Sequence, residues 1–507
     1  MRTENSLKNV FWTVMAFGIN LVVNFVARKI FIDVLGAEYN GLNSLFSSII
    51  SILSIAELGI GTTIIYFLYG PLHRKEYGLI KSLMNFYKKC YRVVAGVVLL
   101  IGLVLIPFLS SIVGEVNIDV NIYTIYILFL LESVLSYLFS YKRSIIIADQ
   151  KERITKYTHI VVILLLNFTQ IAVLYLTKNY YSFLLLKVLF TCVENIWLSY
   201  IANKKYPFIR GRAELLPVEV KNNLNKRMRA MFYHQIGGFV VNGTDNIIIS
   251  VMFGVAEVGY YNNYYLIVSS ILGLVSNAFS GITASVGSLL VAKNKQESLT
   301  VYKGIQAINY VMAAYISCTF YVCVQPLMSL WLGGDYLMSS LVVVVLTVYT
   351  YLKIMKQAMV VFKNAAGVFY EDRFVPLVES LVNIVASIIC AKIFGVSGII
   401  MGTIISTMVL YFGSYPFIVY KRAFGISPVS YFKQHISYLV LTIAAGALIV
   451  ILSNLIVLQE PMLELAKNFL VSTAVFVMIF AFMLCNDKNF SGIVMRIKGK
   501  IWGRRKK

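Results

Sequence analysis

Fourteen apolar runs, most of them about as long as a bilayer is thick, follow one another between residues 10 and 485. A hydrocarbon core takes roughly 20 helical residues to cross. Lipid offers no partner to a backbone N–H or C=O, so each run must close its hydrogen bonds internally, as a helix. The chain therefore reads as an all-α integral membrane protein with about 14 transmembrane helices. Composition agrees: 59% of the 507 residues are hydrophobic and 13% are charged, against about 25% charged in soluble domains. The six cysteines lie mostly in or beside apolar runs, where free thiols rather than a disulfide framework are expected. The N-terminal MRTENSLKNVFW enters the first run without a small-residue cleavage site, which reads as an uncleaved first span.

The net charge of +22 would suit nucleic acid if it were clustered on a soluble face, but its placement argues otherwise. With the N-terminus on the inner side, 37 of the 45 Lys and Arg residues fall on inner segments, as the positive-inside rule requires. Both termini are then cytoplasmic and no nucleic-acid partner is expected. The surplus of basic residues also suits membrane lipids with anionic headgroups. Outer connections are very short, such as LGAEYNG and FGVSG. The longest connection, 203–231, divides the chain into an N-terminal six-helix lobe at 1–202 and a C-terminal six-helix lobe at 232–420. An extra helix pair at 421–485 and a basic tail at 486–507 follow.

The two lobes carry related motifs. Leu35–Gly41 reads LGAEYNG and Phe253–Gly259 reads FGVAEVG, with glycines at an offset of 218. Pro107–Gly114 reads PFLSSIVG and Pro326–Gly333 reads PLMSLWLG, at an offset of 219. Arg153 and Arg373 follow at 220. An even number of spans separates equivalent points, so the lobes share one orientation, related by a pseudo-two-fold along the membrane normal. The glycines have two readings that the sequence leaves open: a tight turn needing positive φ, or close helix packing.

Chemistry-bearing motifs are few. There is no GxxxxGK[ST] phosphate loop, no HExxH and no paired CxxC, and His73, His159, His234 and His435 are scattered. No metal, cofactor or catalytic residue is expected, and a transporter is favoured over an enzyme. Charges inside the spans are the informative signal, because each costs about 2.5–3.5 kcal/mol to insert. Lys353 and Lys356 share one stripe with Lys363, ten residues along. Snorkelling accounts for Lys363; Lys353 lies deeper, as a cationic cavity wall or half of a structural pair. Arg28 and Lys29 either reach outer headgroups or face inward. Glu57, inside AELGIG, either pairs with a cation or binds a coupling ion; Asp245, beside Asn242 and Asn246, has the same two readings. Glu132, Glu194 and Glu379 read as structural. Tyr260–Tyr265, YYNNYY, reads as an interfacial belt or as aromatic and amide groups offered to sugars.

Arg28, then LGAEYNGL, then SILSIAELGIG resembles the start of the polysaccharide flippases of the multidrug/oligosaccharidyl-lipid/polysaccharide exporter superfamily. TDNIIISVMFGVAEVGYYNNYYLI, Thr244–Ile267, is similar to the start of their second lobe. The resemblance runs through about residue 420. It implies two bundles around a central cavity that opens alternately to each face, in a bacterial cytoplasmic (inner) membrane. The implied substrate is a lipid-linked oligosaccharide, a polyprenyl-pyrophosphate repeat unit for capsule, O-antigen or another surface polymer. Arg28, Lys353 and Lys356 would then meet the pyrophosphate. Asn242, Asn246, Tyr261 and Tyr264 would meet sugars. Glu57 and Asp245 would carry H⁺ or Na⁺, and polysaccharide polymerase machinery would be a partner. The rivals are a multidrug and toxin extrusion antiporter, whose drug-cation cavity should be acidic, and a lipid II flippase, which shares the anchor. A polysaccharide polymerase is disfavoured by the missing outer loop, and a major facilitator by YGPLHRKEYG after the second run.

Overall fold

Apolar runs become helices throughout. The computed structural model describes residues 2–486 except 58, 117, 212, 213, 293 and 368–373, together with 491, 492, 494 and 495. Among these residues all regular structure is helical. Arg373 of the repeat and most of the basic tail lie outside them.

The chain forms two compact units, Met1–Gly259 and Tyr260–Lys507. The first contains α1 (Arg2–Leu35), α2 (Ala37–Leu53), α3 (Ile60–Arg74), α4 (Tyr77–Leu105) and α5 (Leu109–Val113). It continues with α6 (Ile122–Ser140), α7 (Arg143–Ala148), α8 (Glu152–Thr177), α9 (Tyr180–Lys205) and α10 (Val218–Phe253). Here α1 packs on α8, α9 on both α6 and α8, and α4 on α6, while α10 lies against α2, α3 and α5. Helix α11 (Val255–Ser280) starts in the first unit and runs into the second. The second then holds α12 (Thr283–Ala292), α13 (Lys295–Trp331), α14 (Ser340–Met355), α15 (Gln357–Ala365) and α16 (Val375–Phe394). After these come α17 (Val396–Gly413), α18 (Tyr415–Val419), α19 (Val429–Asn454) and α20 (Pro461–Asn486). Helix α16 packs along α17, and α13 is flanked by α14, α19 and α20. The C-terminal pair is anchored on α13 by a stack of Tyr310 on Tyr438, with ring centroids 4.0 Å apart. Asn468 Nδ2 adds a hydrogen bond to the Val322 carbonyl, 2.9 Å.

Local chemistry sets the helix ends. Asn121, Asn179 and Asn294 each accept from the N–H three residues on, at 3.1, 3.2 and 2.8 Å. These N-caps satisfy donors that the first turn leaves free. The repeated glycine motif splits its two readings between its two glycines. Gly36 and Gly254, first in each copy, turn the chain at φ of 94° and 90°, which glycine alone adopts without strain. Gly41 and Gly259, second in each copy, are where α2 and α11 press together backbone to backbone.

Twelve helices are long and apolar enough to cross a membrane, by length and composition, among the described residues. The other two runs, 42–68 and 232–253, are helical as well. The first is divided by a tight turn at Ser54–Glu57 and by Gly59 at φ 81°, leaving α2 and α3 with 17 and 15 residues. The second is the end of α10, a 36-residue helix. Among the described residues its apolar part is Gly243–Phe253, the side chains of 233–242 lying outside them. All six cysteines are free thiols.

Candidate functional site

The break between α2 and α3 puts a carboxylate inside an interrupted membrane helix. Gly59 makes the break possible: at φ 81° it lies against α10, where a Cβ would sit 2.6 Å from Met231 Cβ and 2.9 Å from the Met228 carbonyl. Glu57, half-buried, takes a hydrogen bond from the Tyr91 hydroxyl of α4. Tyr91 meets Tyr87 edge-on at 4.5 Å and Tyr137 of α6 at 5.9 Å. Interrupted helices are where membrane transporters gather their ion and substrate contacts. The sequence suggests Glu57; the tyrosines around it come from other helices and carry no sequence signal of their own.

The Arg28–Lys29 doublet separates. Lys29 forms a surface pair with Asp33, 3.3 Å, while Arg28 is half-buried on α1. On α10, Asp245 is half-buried, and the Asn246 side-chain amide donates to Ser48 Oγ of α2 at 2.8 Å. The side chain of Asn242 lies outside the described residues.

Two deep carboxylates of the first unit have basic partners. Glu132 of α6 pairs with Lys187 of α9 at 2.9 Å and accepts from Thr191 Oγ1 at 3.2 Å. Lys187 also lies over the Phe129 ring, 4.7 Å from its centroid. Glu194 meets His159 Nδ1 at 3.2 Å and Arg143 at 4.0 Å. These arrangements match the structural reading of both acids. Lys187→Met should destabilise the protein, and Glu132→Leu in the same chain should restore most of the loss. A half-pair left in an apolar setting is worse than none, at about 3–5 kcal/mol for a fully buried pair. The effect here should be smaller, because the side chains remain 32% and 21% exposed. Melting of the purified protein in detergent is the readout.

In the second unit the cations gather at another interruption. Helix α14 ends at Met355, Lys356 occupies the join, and α15 begins at Gln357. Lys353, in the last turn of α14, has its Nζ 5.2 Å from the Tyr349 ring centroid. Both lysines are half-buried. Lys363 departs from the snorkelling expectation. It is only 4% exposed, with Nζ 4.5 Å from the Tyr415 ring centroid. The ring of α18 closes over the ammonium, a cation–π contact that water exclusion strengthens. Glu379 on α16 is also buried, at 7% exposure.

In the YYNNYY stretch Tyr261, Asn263 and Tyr264 are buried, and Tyr260, Asn262 and Tyr265 are half-buried. Tyr261 is buried and stacks on Tyr265, 5.6 Å between centroids. Tyr264 is fully buried; its hydroxyl donates to Gln325 Oε1 at 2.7 Å and accepts from the Met338 N–H at 3.0 Å. Both functions of that hydroxyl join α11, α13 and the segment just before α14. Composition cannot separate a belt tyrosine from a buried one, since each carries an apolar ring and a polar tip.

A model of the polysaccharide biosynthesis protein family matches residues 6–282, more than half of the chain. The chain belongs to that family. Its fold is similar to that of solved exporters. A lipid II flippase, MurJ, in an inward closed conformation, aligns at TM-score 0.70 and 11% identity, over 94% of this chain and 100% of that one. An inward-facing multidrug resistance MATE transporter of the MOP superfamily aligns at 0.57 and 12%, over 78% and 93%. The Vibrio cholerae MATE transporter VcmN aligns at 0.55 and 13%, over 83% and 97%. No curated protein matches. The chain is thus a multi-pass membrane protein of that family, with a fold similar to these transporters.

Proposed function

We propose that this protein is a flippase. It moves polyprenyl-pyrophosphate-linked oligosaccharide repeat units from the cytoplasmic to the outer leaflet of the bacterial inner membrane, by alternating access. The observation that carries this reading is the pair Lys353 and Lys356 at the α14–α15 join, cations held within a membrane segment. A pyrophosphate is at least dianionic, and attraction between unit charges rises steeply as the local dielectric falls. Three deep carboxylates of the first unit are engaged: Glu132 with Lys187, Glu194 with His159 and Arg143, and Glu57 with the Tyr91 hydroxyl. That charge balance favours an anionic cargo over a drug cation.

In this proposal Arg28 is a further cation for the pyrophosphate, and the polyprenyl tail stays in lipid while the head group crosses. Both termini face the cytoplasm, in keeping with the basic inner segments. Asp245 and Glu57 are the candidates for coupling to H⁺ or Na⁺. Glu57→Gln can still accept from Tyr91, so it should keep the fold while removing a titratable group. Transport by this variant should lose its dependence on the driving ion if Glu57 couples, and keep it if Tyr91–Glu57 only braces the break.

The function is tested in a depletion strain. Extracted membrane lipids should show single sugar repeat units on polyprenyl pyrophosphate, shielded from a membrane-impermeant label on the outer side. Outer-leaflet accumulation would indicate a polymerase instead. Accumulated lipid II would move the reading to the peptidoglycan precursor. Unchanged lipids with new sensitivity to cationic drugs would replace the flippase with an extruder.

A further inference from the structure

The first unit also contains a basic pocket that the proposed transport cycle does not use. Its walls come from the start of α4, the α6–α7 turn, the end of α9 and the segment that follows it. Lys81 and Lys88 of α4, Lys142 and Arg210 surround a cavity of about 270 Å³, and Asn85 and Asn203 add amides. No carboxylate lines it among the described residues. Two other cations near helix ends of the same unit are paired: Lys156 with Glu152 at 3.4 Å, and Lys151 with Asp149, which also accepts from the Tyr206 hydroxyl.

Four like charges around one cavity repel each other, and three of the four are half-buried, where water screens them least. Burial first, then Lys88 and Arg210, push the Lys142 pKa below the ordinary lysine range. An anion in the cavity would relieve all of these penalties together. The volume equals that of roughly nine liquid waters, so the cavity has room for a phosphoryl group and part of what it is attached to. Arg210 supplies a planar fork suited to two phosphate oxygens, and the lysines supply point charges.

We propose that this pocket is a phosphate-binding site, separate from Lys353 and Lys356, and that its ligand is the phosphate of an anionic lipid headgroup or a free phosphate. It sits beyond the apolar part of the helices, within reach of either source. The site is defined by geometry within one unit and stands whether or not the protein is a flippase.

The test uses the purified full chain in detergent. Native mass spectrometry would follow binding of added phosphatidylglycerol, with phosphatidylcholine as the neutral comparison. Melting at constant ionic strength would follow inorganic phosphate. The wild type is compared with Lys88→Gln/Lys142→Gln/Arg210→Gln, and with Arg210→Gln alone, which should fold normally because its side chain is exposed. Removing one charged contact should weaken binding on the order of tenfold, and the triple variant should lose it. Phosphatidylglycerol lost from the variants and not displaced by phosphate identifies a lipid site. Phosphate protection of the wild type alone identifies a soluble-phosphate site. If neither ligand distinguishes wild type from Arg210→Gln, the proposal is overturned.

Discussion

Gly41→Val should remove most of the folded protein from the membrane, while Gly18→Ala should leave its level and melting unchanged. A Cβ on Gly41 would overlap the Val255 carbonyl, and one on Gly259 the Ala37 carbonyl, so α2 and α11 touch through their backbones. Buried Asn40 fixes the crossing by donating from Nδ2 to the Gly259 carbonyl at 3.1 Å. Small residues allow this approach, and dispersion over the flush surfaces holds it in a setting where water supplies no driving force. Even alanine must push two backbones apart, at about 1–3 kcal/mol, and valine adds a branch where there is no room. Gly18, by contrast, has nothing within 4 Å of where a Cβ would lie. Gly36→Ala tests the other half of the motif: it should cost about 1–3 kcal/mol through backbone strain alone. Wild-type melting for Gly41→Val would mean that the crossing is not held by this contact.

The second large effect is functional. Lys353→Gln/Lys356→Gln should leave the protein at its normal level and stop surface-polymer export. Both side chains are only half-buried, and glutamine keeps much of their length and their capacity to donate hydrogen bonds. On the proposed function, each lysine removed would take away a charge-assisted contact of about 1.5–3 kcal/mol with the pyrophosphate, which is roughly 10- to 150-fold per residue. Lys363→Gln should behave differently. Its ammonium is enclosed under Tyr415, so its loss should appear first in melting and only then in transport.

Much of the fold is legible in the sequence because lipid leaves the chain so few choices. Apolar runs give helices because the backbone must close its own hydrogen bonds in lipid, and the glycine motifs mark the turns at Gly36 and Gly254. The break at 54–59 is harder to see. SILSIAELGIG is almost uniformly apolar, and only Glu57 and Gly59 distinguish a broken helix from a continuous one. The charged residues are visible, but their partners are not. Lys187 finds Glu132 across two helices, and Lys363 finds Tyr415 through the fold of its unit. Snorkelling and burial begin from the same sequence pattern, a lysine one or two turns from a helix end. The engagement of Tyr264 is hidden for a similar reason, since the partners that occupy its hydroxyl lie on α13 and before α14.

The most direct measurement places the purified protein in vesicles that carry a fluorescent polyprenyl-pyrophosphate oligosaccharide on both leaflets. A membrane-impermeant quencher is then added outside. Wild-type protein, with an imposed ion gradient, should bring the inner-leaflet fluorescence out to the quencher. Lys353→Gln/Lys356→Gln vesicles should keep close to half of the signal, as empty vesicles do. Protected fluorescence that persists with wild-type protein under H⁺ and Na⁺ gradients alike would contradict flipping. Equal rates for wild type and the double variant would leave flipping standing and remove the two lysines from the pyrophosphate.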